Sequence, residues 1–296
     1  MTRLLHFSDV HVQVRASAIP LRDWLGKRLL GGMNLLLRRR RAFQETLVKL
    51  EALARFAARE SVDVTVCTGD YTALGTLPEL KAARVAIEPF ARDPHRFVTV
   101  PGNHDLYLPD VLADGRFECT FGDLLGTDWP ESAVDGRWPG VRIYGDQLAV
   151  ITVNSARPNP QLLRSSGRIP DSQLDALRRV LGDSRLAGRT IAVATHYAPR
   201  RADGTPDHWQ HGLENADALL DACASAARGV ILHGHLHRRF HLRGAGTTHI
   251  FGAGSATQAG REGAWLFEFE RDRARALRVC FRDGEYALDE APAIAF

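Results

Sequence analysis

The sequence predicts a layered α/β domain with part of its sheet parallel, and three observations carry that prediction. Apolar runs of strand length alternate with stretches of helical period through the first third of the chain. Five strand-like runs end in Asp, Asn or His. No internal repeat, low-complexity tract or Pro- or Ser-rich linker divides the 296 residues, so residues 1–296 are expected to form one domain.

Taken in order, Arg3–Phe7 reads as a short buried strand running into Ser8-Asp9-Val10-His11. Phe43, Leu47, Leu50, Ala54 and Ala57 recur at three or four residues, the spacing of an amphipathic helix. Val62–Cys67 is a second strand, ending at Thr68-Gly69-Asp70, and Leu77–Arg92 a weaker helical stretch. Phe97–Val100 is a third strand, ending at Pro101-Gly102-Asn103-His104-Asp105. Residues 106–142, rich in Gly, Asp, Pro and Trp, predict loops and short helices around a site. Gln147–Val153 is a strand, and Asp171–Leu181 a helix opened by the capping types Asp171 and Ser172. Thr190–Thr195 is a strand before His196, Asn215–Ala224 a helix, and Val230–His233 a strand running into Gly234-His235. Thr247–Gly252, Ala264–Glu270 and Ala276–Phe281 read as short strands.

Composition narrows the class. With 45% hydrophobic and 25% charged residues, the chain is an ordinary globular one, which excludes long disorder, collagen-like repeats and coiled coils. The longest apolar run, Leu29–Leu37, is broken by Gly31, Gly32 and Asn34 and falls short of the roughly 20 residues that span a bilayer. His6, Ser8 and Asp9 arrive too early for a secretory signal, so a cytoplasmic location is expected. A net charge of +3 does not announce a nucleic-acid partner. Lysine occurs only at Lys27, Lys49 and Lys81, so arginine supplies the rest of the 38 basic residues, as a GC-rich coding sequence would give. Cys67, Cys119, Cys223 and Cys280 are scattered without a CxxC pair, which reads as reduced thiols and argues against a thiolate metal site.

The chemistry collects at strand ends. In open α/β sheets ligands bind beyond the carboxyl ends of the strands, so residues from separate strands can meet in one site. Asp9 with His11, Asp70, Asn103 with His104, His196, and His235 with His237 occupy such ends. This mixed set of oxygen and imidazole donors suits manganese, iron or zinc and disfavours calcium or magnesium alone. The seven residues Asp9, His11, Asp70, Asn103, His196, His235 and His237 exceed the needs of one tetrahedral ion and suffice for two if a carboxylate bridges. Asp9 and His11, like His235 and His237, stand two apart, and in extended backbone each pair points to one side.

DxH (Asp9, His11), GD (Gly69, Asp70), GNHD (Gly102 to Asp105), a lone His after a strand (His196) and GHxH (Gly234, His235, His237) follow the order seen in calcineurin-like metallophosphoesterases. The resemblance runs from Asp9 to His237. It implies a four-layer α/β/β/α sandwich of two mixed sheets flanked by helices, with a dinuclear site at the sheet edge. Carried over by position, Asp9, His11, Asp70 and His237 hold the first ion, and Asp70, Asn103, His196 and His235 the second. Two such cations, manganese before iron or zinc, acidify a bridging water to metal-bound hydroxide and clamp the phosphoryl oxygens. His104 is then the catalytic residue left beside the metals, able to stabilise charge on phosphorus or to protonate the leaving oxygen. Asp105 either orients that ring or caps a turn.

One departure narrows the activity. In the phosphoprotein phosphatases of this family GD continues as GDxxDRG, whereas Asp70 is followed here by Tyr71-Thr72-Ala73-Leu74-Gly75. The carboxylate partner of the catalytic His is missing. The GDxT form of shorter bacterial phosphodiesterases and pyrophosphohydrolases is the nearer match.

The segment Leu21–Arg41 is an insert between the first strand and the Phe43 helix, carrying Trp24, Lys27, Arg28, leucine clusters and Arg38–Arg41. It reads as a packed helical hairpin with a solvated basic end, as a cationic, apolar arm for a membrane surface or lipid substrate, or as a basic groove for nucleic acid. It also looks similar to a segment of bacterial UDP-2,3-diacylglucosamine pyrophosphohydrolases of lipid A synthesis. That likeness implies a lipid-linked nucleotide substrate, peripheral contact with the inner face of the membrane, and substrate contacts from Trp24, Arg38 and Arg41. Arg200 and Arg201, in the loop after His196 with His208, Trp209 and His211, are further substrate candidates, although that loop reads equally as solvated. His6, His95, His233, His241 and His249 match no motif and are expected to pack or face solvent. Alternatives to the acylated substrate are a cyclic-nucleotide or other small phosphodiester and, less favoured, nucleic acid; a non-catalytic scaffold of the same fold is the rival from another class. No protein partner is implied.

Overall fold

The computed structural model describes residues 1–24, 26–34, 42–244, 246, 248–271 and 273–296. Leu35–Leu37 and the basic run with Arg38 and Arg41 lie outside the described residues. Among the described residues thirteen strands form two mixed sheets. The first has the order β12 (Glu285–Leu288), β11 (Ala274–Arg282), β10 (Ala264–Phe269), β1 (Thr2–Phe7), β2 (Val64–Cys67) and β3 (Phe97–Thr99), with β13 (Ile294–Ala295) also pairing β11. The second has the order β4 (Gly140–Tyr144), β5 (Leu148–Thr152), β6 (Thr190–Ala194), β7 (Gly229–His233), β9 (Thr248–Ala253) and β8 (Arg239–Arg243). The strands β1, β2 and β3 run parallel, as do β5, β6, β7 and β9, and antiparallel strands close the outer positions.

Strand alternation sorts the apolar side chains into two layers. Leu4, Val64, Val66, Val98, Trp265 and Phe267 from the first sheet meet Val150, Ala192, Val230, Leu232 and Phe251 from the second. Their neighbours Leu5, Phe7 and Cys67 face outward to the helices, against Leu50, Leu53 and Phe56 of the Thr46–Arg59 helix. Each such buried side chain is worth about 1.5–3 kcal/mol. The layers are therefore helices, sheet, sheet, helices, as the resemblance implies.

Several expectations shift. The buried stripe of the Thr46–Arg59 helix is rotated from the predicted one, leaving Leu47 56% exposed and burying Lys49. The ammonium tolerates burial because Glu262 Oε1 lies 2.7 Å and the Thr257 carbonyl 3.2 Å away. The stretch predicted as one helix over 77–92 divides into Leu77–Ala86 and the short turn Glu88–Ala91. Pro89 lacks the amide proton that would continue it. The first piece opens on a capping box in which Thr76 and Glu79 bond each other. Of the insert, Leu21–Trp24 forms a 3-10 turn and Lys27–Asn34 a helix.

Candidate metal centre

The site stands where the parallel strands of both sheets end. After β1 and β2 the two loops are joined by main-chain bonds: Asp9 N donates to Gly69 O at 3.0 Å, His11 N to Asp70 O at 2.9 Å and Val12 N to Tyr71 O at 2.8 Å. Among the described residues seven non-glycines have left-handed backbone, and five are Asp9, His11, Asp70, His235 and His237, with φ between 47° and 68°. The pairs Asp9/His11 and His235/His237 thus converge through left-handed turns and not through strand alternation, which corrects the extended-backbone reading. Two glycines permit the close approach: a Cβ on Gly102 would collide with the Asp70 carboxylate, and one on Gly234 with the Ser8 hydroxyl.

The ligand-type atoms of Asp9, His11, Asp70 and His237 all lie within 4.8 Å of one another. His237 Nε2 is 3.2 Å from Asp9 Oδ1 and 3.1 Å from His11 Nε2, which is 3.7 Å from Asp70 Oδ2. His11 Nδ1 donates to the Thr72 carbonyl at 2.8 Å, and His237 Nδ1 donates to Gln258 Oε1. Both Nε2 atoms are thereby left as lone pairs. Asp9 Oδ1 is buried and has no hydrogen bond among the described residues.

A second set shares Asp70. His196 Nε2 lies 3.5 Å from Asp70 Oδ2 and 3.0 Å from Asn103 Oδ1, and His235 Nδ1 is also 3.0 Å from Asn103 Oδ1. The opposite ring atoms are engaged: His196 Nδ1 donates to the Thr68 carbonyl at 2.7 Å and His235 Nε2 to the His211 carbonyl at 2.8 Å. With those tautomers, three acceptor atoms face one another at hydrogen-bond distance with no proton between them. A cation satisfies such a set, so the donor chemistry fits two divalent ions sharing Asp70.

Electrostatics agrees. Burial and then His196 push His235 down to about 3, and burial lowers His196 as well, so both rings are neutral donors. Burial works against ionisation of Asp9, but the charge of His237 overrides it and holds the carboxyl below its ordinary range. Burial pulls His237 down, and the Asp9 carboxylate more than reverses that, leaving its value raised.

Beside the second set is a cavity of about 330 Å³ lined by Asn103, His104, Tyr107, Lys27, Leu162 and Arg164 among others. His104 N donates to Asp70 Oδ1 at 2.8 Å, and its Nδ1 donates to the Ala73 carbonyl at 2.6 Å. That bond turns Nε2 away from Ala73, and the ring stacks on Tyr107 at 5.6 Å. The Ala73 carbonyl thus fixes the orientation of the His104 ring. Asp105 is not the orienting group: its carboxylate accepts from the amides of Gly102, Tyr71 and Thr72, which holds the loop as a turn residue would. Burial and then Asp70 push Asp105 up to about 6. Lys27 Nζ donates to the carbonyls of Asn159 and Arg164, both at 2.8 Å, so the insert helix forms one wall of this cavity. Burial takes Lys27 down to about 8.

The substrate candidates fare less well. Trp24 packs with Val14 and Tyr107 on Ile19, Ala73 and Leu74, so it serves a small satellite core and is not a projecting anchor. Arg200 is engaged by Asp217 and the Pro199 carbonyl, and Arg201 closes an exposed turn with Thr205; neither lines the cavity. Arg38 and Arg41 lie outside the described residues. Sequence reasoning did not pick Tyr107, Leu162 and Arg164 as cavity wall, nor Gln258 as the partner of His237, whereas Lys27 and His211, which also line the cavity, come from the insert and the loop after His196 that the sequence offered for substrate.

The sequence profile of the family described as calcineurin-like phosphoesterase matches residues 2–239. No curated protein matches this chain. Among solved structures the fold is similar to a dimetal phosphatase from Danio rerio, with TM-score 0.62 and 13% identity over 99% of this chain and 98% of that one. It is also similar to a purple acid phosphatase from yellow lupin (Lupinus luteus) seeds, with TM-score 0.62 and 12% identity over 99% of this chain and 53% of that one. Among the described residues no helix is long and apolar enough to cross a membrane.

Proposed function

This chain belongs to the calcineurin-like phosphoesterase family and is a phosphoester-hydrolysing enzyme, and from that premise we propose that it cleaves the pyrophosphate of a lipid-linked nucleotide at a membrane surface. In this reading Asp9, His11, Asp70 and His237 hold one divalent cation, and Asp70, Asn103, His196 and His235 hold the other. Manganese is the favoured ion. Bound there, the ions would acidify water and neutralise phosphoryl oxygens. The chain supplies the rest. The carbonyls of Thr72, Thr68 and His211 and the amide of Gln258 fix four imidazole rings, so the donor set is preorganised. His104, held by Ala73 and stacked on Tyr107, presents Nε2 for the leaving oxygen.

The observation that favours a lipid-linked substrate is the rim of the His104 cavity. Leu162 and Leu163, which line it, are 58% and 76% exposed, and Leu29 and Leu30, on the helix that supplies Lys27, are 50% and 47% exposed. Exposed leucines at a cationic mouth, with two more on the helix that supplies Lys27, suit a substrate whose acyl chains prefer the bilayer while its phosphates prefer Lys27. The narrowest form of this reading is UDP-2,3-diacylglucosamine hydrolysis. A manganese-supplemented panel tests it by comparing that compound with a chromogenic diester, cyclic AMP and single-stranded DNA. The acylated nucleotide should give the highest kcat/KM; a higher value for cyclic AMP or DNA would replace this substrate class.

A further inference from the structure

We propose that the cleft bordered by His237, Arg238, Arg261 and Glu262 is a second phosphate subsite, which takes the phosphoryl group of a pyrophosphate diester that is not attacked. This rests on the reading of Asp9, His11, Asp70 and His237 as metal ligands. The cleft measures about 480 Å³ and begins at His237, whose Nε2 stands 3.2 Å from Asp9 Oδ1. It is therefore on the His237 side of the cluster, whereas the Lys27 cavity is on the Asn103 and His104 side.

The charge balance of the cleft favours an anion. Its one carboxylate, Glu262, is neutralised by the buried Lys49 at 2.7 Å. Arg239 is occupied, with the Val279 carbonyl and Cys280 Sγ bonded to it and Asp289 Oδ2 at 3.6 Å. Arg238 and Arg261 are exposed, and among the described residues neither forms an ion pair. Guanidinium groups recognise phosphate oxygens in pairs, which two free arginines at one cleft can supply.

The supporting loop couples the two sites. Ser255 N donates to Arg261 O at 3.1 Å, Arg261 N to Gln258 O at 3.0 Å and Gly263 N to Ser255 O at 3.1 Å, closing the loop on itself. The Ser255 hydroxyl donates to the Asp9 carbonyl at 2.7 Å, and Gln258 holds the His237 ring. One closed loop thus fixes a metal-facing imidazole and presents Arg261 beside it. Ala259 of the same loop donates to the carbonyl of Ala42, the residue that follows the run Arg38–Arg41 in the chain. A single phosphate needs only one cationic wall. Cationic walls on two sides of one cluster suit charge spread over two phosphates.

Calorimetry on the manganese-loaded protein tests this with UDP against UMP, a readout that needs no turnover. The wild-type chain should bind UDP at least about tenfold more tightly than UMP. In the Arg238→Ala/Arg261→Ala double variant that preference should shrink to about twofold or less, and the double Lys variant should retain part of it. No preference in the wild-type chain, or full preference in the Ala variant, overturns the subsite. If the Ala variant keeps its UDP preference and instead loses binding to phosphatidylglycerol vesicles, the cleft reads a lipid headgroup and the proposal is wrong. Failure of the underlying reading shows itself separately, as no manganese-dependent hydrolysis of bis(p-nitrophenyl) phosphate by the wild-type enzyme.

Discussion

His11 and His237 face each other through Nε2 atoms 3.1 Å apart, each ring held from behind by a carbonyl-type oxygen at Nδ1. Two lone pairs at that distance repel unless a positive charge sits with them. Without metal a proton fills that role, because Asp9 raises the His237 value in spite of burial.

Metal loading must therefore displace a proton, which gives a signed pH dependence. As pH falls through the raised His237 value, protons compete better and apparent metal affinity drops. At manganese about 100 times its dissociation constant the folded state gains about 2.7 kcal/mol, so Tm should rise several degrees at pH 8. The rise should be clearly smaller at pH 6. Thermal scans with and without EDTA across that range measure it, and a shift that grew towards pH 6 would refute the proton competition.

Asp70 has one oxygen on the His104 amide and the other within 3.5 Å of His196 and 3.7 Å of His11. An amide in its place cannot compensate two dications. Asp70→Asn should lower metal affinity beyond the roughly 10–100-fold typical of outer-shell changes and abolish hydrolysis. Elemental analysis showing two metals per chain with full activity would end the bridging assignment.

His104→Ala should keep the metals and the fold and lose about 10²–10⁴ in kcat. The loss should shrink for p-nitrophenyl esters, whose leaving group needs no proton. An equal loss across leaving groups would point to charge stabilisation of the phosphoryl group instead.

Asp105 holds the amides of Gly102, Tyr71 and Thr72 in a fully buried position. Asp105→Ala strands those donors and should cost roughly 2–4 kcal/mol in urea unfolding. A cost under about 1 kcal/mol would mean that the loop re-pairs its amides with other groups.

Leu162→Ser with Leu163→Ser alters two exposed positions, so the fold should hold. If acyl chains lie on them, the ratio of kcat/KM for the acylated nucleotide over a soluble diester should fall about tenfold or more. An unchanged ratio removes the apolar rim from the substrate reading.

The central strands and the residues just after them were legible in the sequence because both faces are buried. Val64–Cys67 and Thr190–Ala194 are fully buried and apolar but for one threonine each, so an ionisable residue soon after such a run, such as Asp70 or His196, stands out. Four strands escaped: Gly140–Tyr144, Arg239–Arg243, Glu285–Leu288 and Ile294–Ala295. The first three end their sheets and the fourth pairs off the main order, so their side chains are half exposed and carry no strong pattern. The groups that orient the imidazoles escaped for another reason. Thr68, Thr72, Ala73 and His211 act through main-chain oxygens, which every residue possesses. Trp24 misled because an aromatic beside cations looks the same in sequence whether it anchors to lipid or fills a small core.

The left-handed backbone at Asp9, His11, Asp70, His235 and His237 has a consequence for heat resistance. Such a conformation costs an L-residue about 1–2 kcal/mol, and glycine is spared it. A glycine at one of these positions also removes a crowded donor, so a chain stripped of its chemistry there should melt at a higher temperature than the working one when no metal is present. Laboratory selection for thermal robustness without manganese in the medium would then erode the centre first and leave the sandwich intact. Selection with the ion present would protect it, since metal binding favours the strained arrangement.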